Sequence, residues 1–281
     1  MKLIRLLILF LIGTYAFQSC NIVNPAEPIA TYVHIDSFSF QQTPNIGTSS
    51  HKITSVWVYY EGKTIGAFPL PCNVPIITSK SGLLMVRPGI TVDGVADIQS
   101  PYFQYNNDTI TIPAKPSETI NFQPKTSYIA DTLLNIVNQD FESGNPFQKV
   151  DGDTGILVTS QSNYVYEGNY SGLLTLDSQQ FAVNLLQTGF TTKFNPFVEI
   201  NYKNTIPFVV GLQTTNAQGQ IVLQYLAGFN PKSEWNKVYV SLVDFVNQYP
   251  NKQYFLVIRA YNSSNTQGYV ALDNVKILSV K

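Results

Sequence analysis

Ile53-Thr54-Ser55-Val56-Trp57-Val58-Tyr59-Tyr60-Glu61-Gly62-Lys63-Thr64-Ile65-Gly66-Ala67-Phe68 reads as two strands around a two-residue turn. β-branched and aromatic residues fill the first run, Glu61-Gly62 supplies the turn chemistry of a hairpin, and a second run follows at once. The same signals recur on either side. Ile29 to Phe40 alternates, with Tyr32, His34, Asp36 and Phe38 on one parity and Thr31, Val33 and Ile35 on the other, as a strand with two unlike faces does. Leu83-Leu84-Met85-Val86, Thr109-Ile110-Thr111-Ile112 and Thr119-Ile120-Asn121-Phe122 add short strands between turn clusters, and helical periodicity is not evident anywhere. Composition agrees: 17 Tyr, 17 Phe, 17 Gly and 16 Pro favour strands and turns, and 44% hydrophobic residues exclude a disordered chain. Only 12% of residues are charged, 17 basic against 18 acidic, so a broad phosphate-neutralising face is excluded and no nucleic acid partner is expected.

The 281 residues are enough for two cores of ordinary domain size. Val56 to Gly66, with Phe68-Pro69-Leu70-Pro71 and Pro88-Gly89-Ile90, resembles the strand-turn-strand pattern of PEGA-type and carboxypeptidase-regulatory-like small β-sandwiches. Gln139-Asp140-Phe141-Glu142-Ser143-Gly144, Val165-Tyr166-Glu167-Gly168-Asn169-Tyr170-Ser171-Gly172 and Tyr269-Val270-Ala271-Leu272-Asp273-Asn274-Val275-Lys276-Ile277 resemble the first, second and last strands of galactose-binding-like jelly rolls, the fold of many carbohydrate-binding modules. Regularly spaced strand signals lie between them. The expected architecture is therefore all-β, a small Ig/PEGA-like β-sandwich followed by a jelly-roll β-sandwich. Its divisions are a signal peptide over 1–19, a tether over 20–28, the small sandwich over 29–124, a linker over 125–138 and the jelly roll over 139–281.

The first twenty residues begin with Lys2 and Arg5, continue through the apolar run Leu6 to Ile12, and reach small and polar residues before Cys20. That is the n-region and h-region of a signal peptide. A spanning helix needs about 18 or more consecutive apolar residues, and this run is broken at Gly13-Thr14. Phe17-Gln18-Ser19-Cys20 resembles the lipobox of bacterial lipoproteins, Bacteroidota-type ones included. The resemblance implies lipid attachment at Cys20 and an outer-membrane, lipid-anchored location, periplasmic or surface face undetermined. Several acyl chains at about 0.8 kcal/mol per buried CH₂ hold a soluble domain on a bilayer. Cys72 then has no cysteine partner and reads as a small buried residue.

Several residues suggest chemistry. In the jelly rolls that the C-terminal half resembles, acids on the first and last strands often hold a structural calcium; the matching positions are Glu142 and Asp273, with carbonyls near Gly168 as further oxygens. The alternative is that Asp273 caps a turn through an Asx-type hydrogen bond and Glu142 is solvated. Asp151-Gly152-Asp153-Thr154-Gly155 lacks the remaining oxygens of an EF-hand loop and reads as a turn. His34 and His51 are the only histidines, with no nucleophile elbow or metal-ligand spacing beside them, so no enzyme is expected. Asp108-Thr109-Ile110 and Asp131-Thr132-Leu133 resemble the short O-glycosylation sites of exported Bacteroidota proteins, which implies glycans on Thr109 and Thr132. Tyr164, Tyr166, Trp235, Tyr249 and Tyr261 lie in or beside Asn-, Gln- and Ser-rich loops and are candidate sugar platforms. Two roles follow: a non-catalytic accessory or scaffold subunit of an outer-membrane protein complex, which is preferred because the chain has only Trp57 and Trp235, or a carbohydrate-binding lipoprotein using the jelly roll for glycan capture.

Overall fold

The computed structural model describes residues 28–43 and 46–281; Cys20 and the signal segment lie outside the described residues. The chain is almost entirely β-sheet, arranged in several sheets as tandem β-sandwich or jelly-roll units are. The hairpin read from the sequence forms β3 (Ile53–Tyr60) and β4 (Lys63–Pro69), with Tyr60 paired to Lys63. Glu61 and Gly62 both take positive φ, 49° and 76°, the backbone twist that a two-residue turn needs to match its flanking strands. β6 (Gly82–Thr91), β7 (Gln99–Pro101) and β8 (Asp108–Ile112) complete that sheet. A second sheet has β1 (Thr31–Ile35) between β5 (Cys72–Ile76) and β9 (Thr119–Asn121). Val33, Ile35, Val74 and Ile76 from one sheet meet Val56, Val58, Leu84 and Val86 from the other. Burial of each such side chain contributes about 1.5–3 kcal/mol, which is what holds the two layers together.

The alternation over Ile29–Phe40 does not make one strand. It stops at Ile35, the exposed Asp36 and Ser37 break it, and β2 (Ser39–Phe40) pairs instead with β10 (Lys125–Thr126) in a separate ribbon. The stretch 125–138, expected as a linker, contributes β10 to that ribbon and most of β11 (Leu134–Gln139) to the following unit.

The C-terminal half packs two sheets face to face. One runs β13 (Leu157–Thr159), β14 (Ser171–Leu176), β21 (Gly268–Val280), β16 (Phe194–Asn204) and β19 (Lys232–Ser241), with β11 paired to the end of β21. The other runs β12 (Phe147–Gly152), β15 (Phe181–Leu186), β20 (Phe255–Tyr261), β17 (Phe208–Thr215) and β18 (Ile221–Phe229). Val198, Ile200, Leu272 and Val240 of the first meet Phe208, Val210, Leu256 and Ile258 of the second. One six-residue helix, α1 (Val243–Gln248), departs from the strand-only expectation and drops Phe245 into this core. A third cluster, including Ile90, Val92, Tyr102, Phe197, Tyr239 and Leu278, joins the two halves. There the main chain also bridges, Asp93 N–H donating to the Tyr239 carbonyl at 2.8 Å.

Candidate functional site

Glu142 does not sit on a strand: β11 ends at Gln139, and the chain turns at Phe141, whose φ is 64°. From that turn Glu142 Oε1 accepts the N–H groups of Asn169 and Tyr170 at 2.7 and 2.9 Å. Those bonds, Tyr170's first, hold its carboxyl below the usual range. Asp273, fully buried in β21, reaches the same loop from within: Oδ2 accepts from Tyr166 and Glu167 at 3.1 and 3.2 Å, and Oδ1 from Asn274 at 2.7 Å. Burial pushes it up to about 6 against those three N–H groups. The two carboxylates thus clasp the segment 166–170 through main-chain N–H donors. Gly168 takes a φ of 75°, a left-handed conformation that side-chain-bearing residues rarely adopt, which is why glycine stands at this turn. Among the described residues no group of three or more His, Cys, Asp and Glu is placed to hold a metal ion. Thr109 on β8 and Thr132 on a 3₁₀ turn are both exposed. Cys72 is half-buried, and burial pushes its thiol up, away from nucleophilic use. His34 Nδ1 lies 2.9 Å from Asn73 Oδ1, and His51 stacks on Phe40.

The outer faces of the jelly roll's two sheets differ sharply. On the β16–β19–β21 sheet, residues turned away from the core include Glu199, Lys237, Tyr239 and Lys276, all buried. Glu199 Oε1 accepts from the Tyr102 hydroxyl at 2.6 Å; Oε2 accepts from the Tyr128 hydroxyl and from Lys237 Nζ, each at 2.6 Å. Lys237 Nζ also donates to the Ser50 carbonyl at 2.8 Å, and Lys276 Nζ sits 4.9 Å from the centre of the Tyr128 ring. Burial alone would raise the Glu199 carboxyl; the charges of Lys237 and Lys276 and the bonds from Lys237 and Tyr102 outweigh it and hold it below its usual range. Burial, then the Glu199 charge, pushes the Tyr102 and Tyr128 hydroxyls far up, so both remain neutral donors. Tyr102, Tyr105 and Tyr128 come from the N-terminal half, and their rings meet edge to face. This face is sealed.

The outer face of the β12–β15–β20–β17–β18 sheet is open. Its register aligns Gln148, Leu185, Val257, Gly211 and Tyr225 across five strands; a neighbouring row carries Val183, Arg259, Val209 and Gly228. Phe255, Gln213 and Leu223 form a third row, and Tyr261 stands beside Phe181 at one end. Tyr225 is 39% exposed and Tyr261 42%. The Arg259 guanidinium lies 5.4 Å from the Tyr225 ring centre, and the Tyr261 hydroxyl donates to Gln179 Oε1 at 2.7 Å. Gly211 has no room for a Cβ, which would meet the Gln224 carbonyl at 2.7 Å, so the middle of the face stays low between rings. A depression of about 210 Å³ beside it is lined by Pro207, Val209, Arg259 and Tyr261.

Of the five aromatics singled out from loops, Tyr261 alone belongs to this face. Tyr164 packs on Tyr269, Tyr166 on Trp235, and Tyr249 on Phe245. Tyr225 and Arg259 were missed because they lie within strands, where parity alone does not tell which face another unit covers.

No family model and no curated protein sequence matches the chain. Solved structures similar to it include a family 61 carbohydrate-binding module in complex with β-1,4-galactotriose, at 13% identity, covering 50% of this chain and 94% of that one, TM-score 0.37. Another is the xylan-binding family 22 domain of a Paenibacillus barcinonensis protein, at 17% identity over 52% of this chain and 96% of that one, TM-score 0.39. A third is the K3 cleaved adhesin domain of the Lys-gingipain of Porphyromonas gingivalis, at 12% identity over 51% and 97%, TM-score 0.36.

Proposed function

We propose that the protein is a non-catalytic glycan-binding protein whose ligand lies across the open sheet face. The observation that carries this reading is the make-up of that face. Exposed rings of Tyr225 and Tyr261 offer flat apolar surfaces for the C–H faces of sugar rings, and Arg259, Gln148 and Gln213 offer planar donors and acceptors for hydroxyl groups. An accessory role in a membrane protein assembly would call for a contiguous apolar patch. The aromatic surface best suited to that is spent inside the molecule, in the seam around Tyr102, Tyr128 and Tyr239. In the same reading Cys20 is acylated and tethers the protein to the outer membrane, and Thr109 and Thr132 carry glycans. The anchor is tested by Cys20→Ala, expected to leave the membrane fraction; the glycans are tested by intact mass.

A glycan array with the mature protein tests the binding role directly. The expected result is a set of oligosaccharide ligands whose binding falls about tenfold or more in Tyr225→Ala and in Arg259→Ala. Ligands that bind both variants as tightly as the wild type would move the site elsewhere.

A further inference from the structure

Where the N-terminal half meets the edge of the jelly roll, a cleft of about 260 Å³ opens between Lys52 and Thr91 on one side and Asn230, Lys232 and Asn236 on the other. Its lining holds three lysines and no carboxylate. Lys237 is committed to Glu199 at 2.6 Å, which leaves Lys52 and Lys232 facing one space; among the described residues neither has a carboxylate within 4.0 Å. Lys52 Nζ donates to Asn236 Oδ1 at 2.6 Å, and Asn236 Nδ2 donates to the Tyr202 hydroxyl at 2.9 Å, so Lys52 and Asn236 are held in place before any ligand arrives. Partial burial first, then the charge of Lys232, lowers the Lys52 ammonium. All this occurs in a chain of net charge −1. Gly228, which also lines the cleft, lies on the open sheet face in the row of Val209 and Arg259, so the cleft borders that face.

We infer that this cleft is an oxyanion subsite, which takes the carboxylate or sulfate group of an acidic sugar whose neighbouring units lie on the open face. Lys52 and Lys232 supply the charge, while Asn230 and Asn236 supply amide donors. The inference rests on the glycan-binding reading, and one experiment separates the two. Binding of a tetragalacturonate, a chondroitin sulfate tetrasaccharide and neutral xylohexaose is titrated against wild type, Lys52→Met/Lys232→Met and Tyr225→Ala. Amide shifts at Thr91, Gly94 and Asn236 are followed with sodium glucuronate, sodium sulfate and sodium chloride. Neither side chain belongs to a hydrophobic core, so the double variant is expected to melt close to the wild type. The expected result is saturable shifts with glucuronate or sulfate but not chloride, absent in the double variant, and acidic oligosaccharides binding the double variant at least tenfold more weakly. Equal affinity of the double variant for the acidic oligosaccharides, or identical shifts with chloride, overturns the subsite and leaves the sheet face as the site. Acidic binding that survives Tyr225→Ala but not the double variant retains the subsite and removes the sheet face. Shifts with free sulfate or glucuronate alone, with no oligosaccharide bound, overturn the acidic-sugar assignment.

Discussion

The two outer faces of the jelly roll are built from the same strand alternation and meet opposite fates. On β16, β19 and β21 the outward positions hold Glu199, Lys237, Tyr239 and Lys276, and three tyrosines of the N-terminal half close over them. On β12, β15, β17, β18 and β20 the outward positions hold Gln148, Gln213, Arg259 and Tyr225, set around the buried Val183 and Val257, with Tyr225 and Arg259 exposed. A sheet face with charges on it is thus no guide to exposure. What decides is whether another unit carries hydroxyl and carbonyl partners in the right register, as the Tyr102 and Tyr128 hydroxyls do for Glu199, the Ser50 carbonyl for Lys237 and the Thr48 carbonyl for Lys276. On the sealed face, removing one side chain strands a buried charged or hydrogen-bonded partner; on the open face the exposed side chains leave no such partner behind.

The largest test of that contrast is Glu199→Gln. Removing one partner of a buried pair leaves Lys237 and Lys276 uncompensated, a loss of about 3–5 kcal/mol. Urea unfolding is expected to show it as a large drop in midpoint, with Tyr102→Phe costing only about 1–3 kcal/mol as a hydrogen bond to a charged group does. A Glu199→Gln loss below about 1 kcal/mol would mean that the seam is wetter than its geometry and the contrast weaker. On the open face, Tyr225→Ala is expected to change stability by about 1 kcal/mol or less while weakening glycan binding about tenfold, since surface substitutions outside packed features cost little. Parallel melting and binding curves check this, and a variant that loses fold and binding together would show that this face is structural too.

Acidity separates the faces in a further way. The seam holds two lysines against one glutamate, and Lys276 is lowered to about 8 from 10.5, by burial first and by the charge of Lys237, against the pull of Glu199. Between those values the unfolded chain keeps a proton that the folded chain has released, so stability rises with pH across that window. Urea midpoints at pH 7.5, 8.5 and 9.5 are expected to climb in the wild type and to flatten in Lys276→Met. A wild-type midpoint that falls over that range would contradict a surplus buried cation.

How much of this the sequence displays depends on period. The β3–β4 hairpin is legible because a two-residue turn with Gly62 has few solutions, and the C-terminal strands are legible from their spacing and β-branched content. Val198-Glu199-Ile200 and Val275-Lys276-Ile277 read as ordinary half-exposed strands, since alternation reports two unlike faces and not what covers the second. The break at Asp36-Ser37 was illegible for a similar reason: parity continues through it, and only the pairing of β2 with β10 shows that the chain has changed sheets. Loop aromatics drew attention because loops carry function, yet Tyr164, Tyr166 and Tyr249 are taken by neighbouring rings, and Tyr225 lies in the middle of a strand.

The smallest expected effect concerns the loop clasped by Glu142 and Asp273, which lies on neither face. Glu142 is exposed and bonds main-chain N–H groups of Asn169 and Tyr170, so Glu142→Ala is expected to speed hydrogen exchange at those two amides while leaving the melting temperature nearly unchanged. Asp273 is different: its folded value of about 6 against 3.8 means that the folded chain binds the proton more tightly between those limits, so its contribution to stability falls as pH rises from about 4 to 6. Calcium makes the case decisive. An ion bound through these carboxylates would hold Asp273 ionised, abolish that pH dependence and raise the melting temperature reversibly with EDTA. If its N–H groups alone hold the loop, added calcium would leave both the exchange rates and the pH dependence as they are.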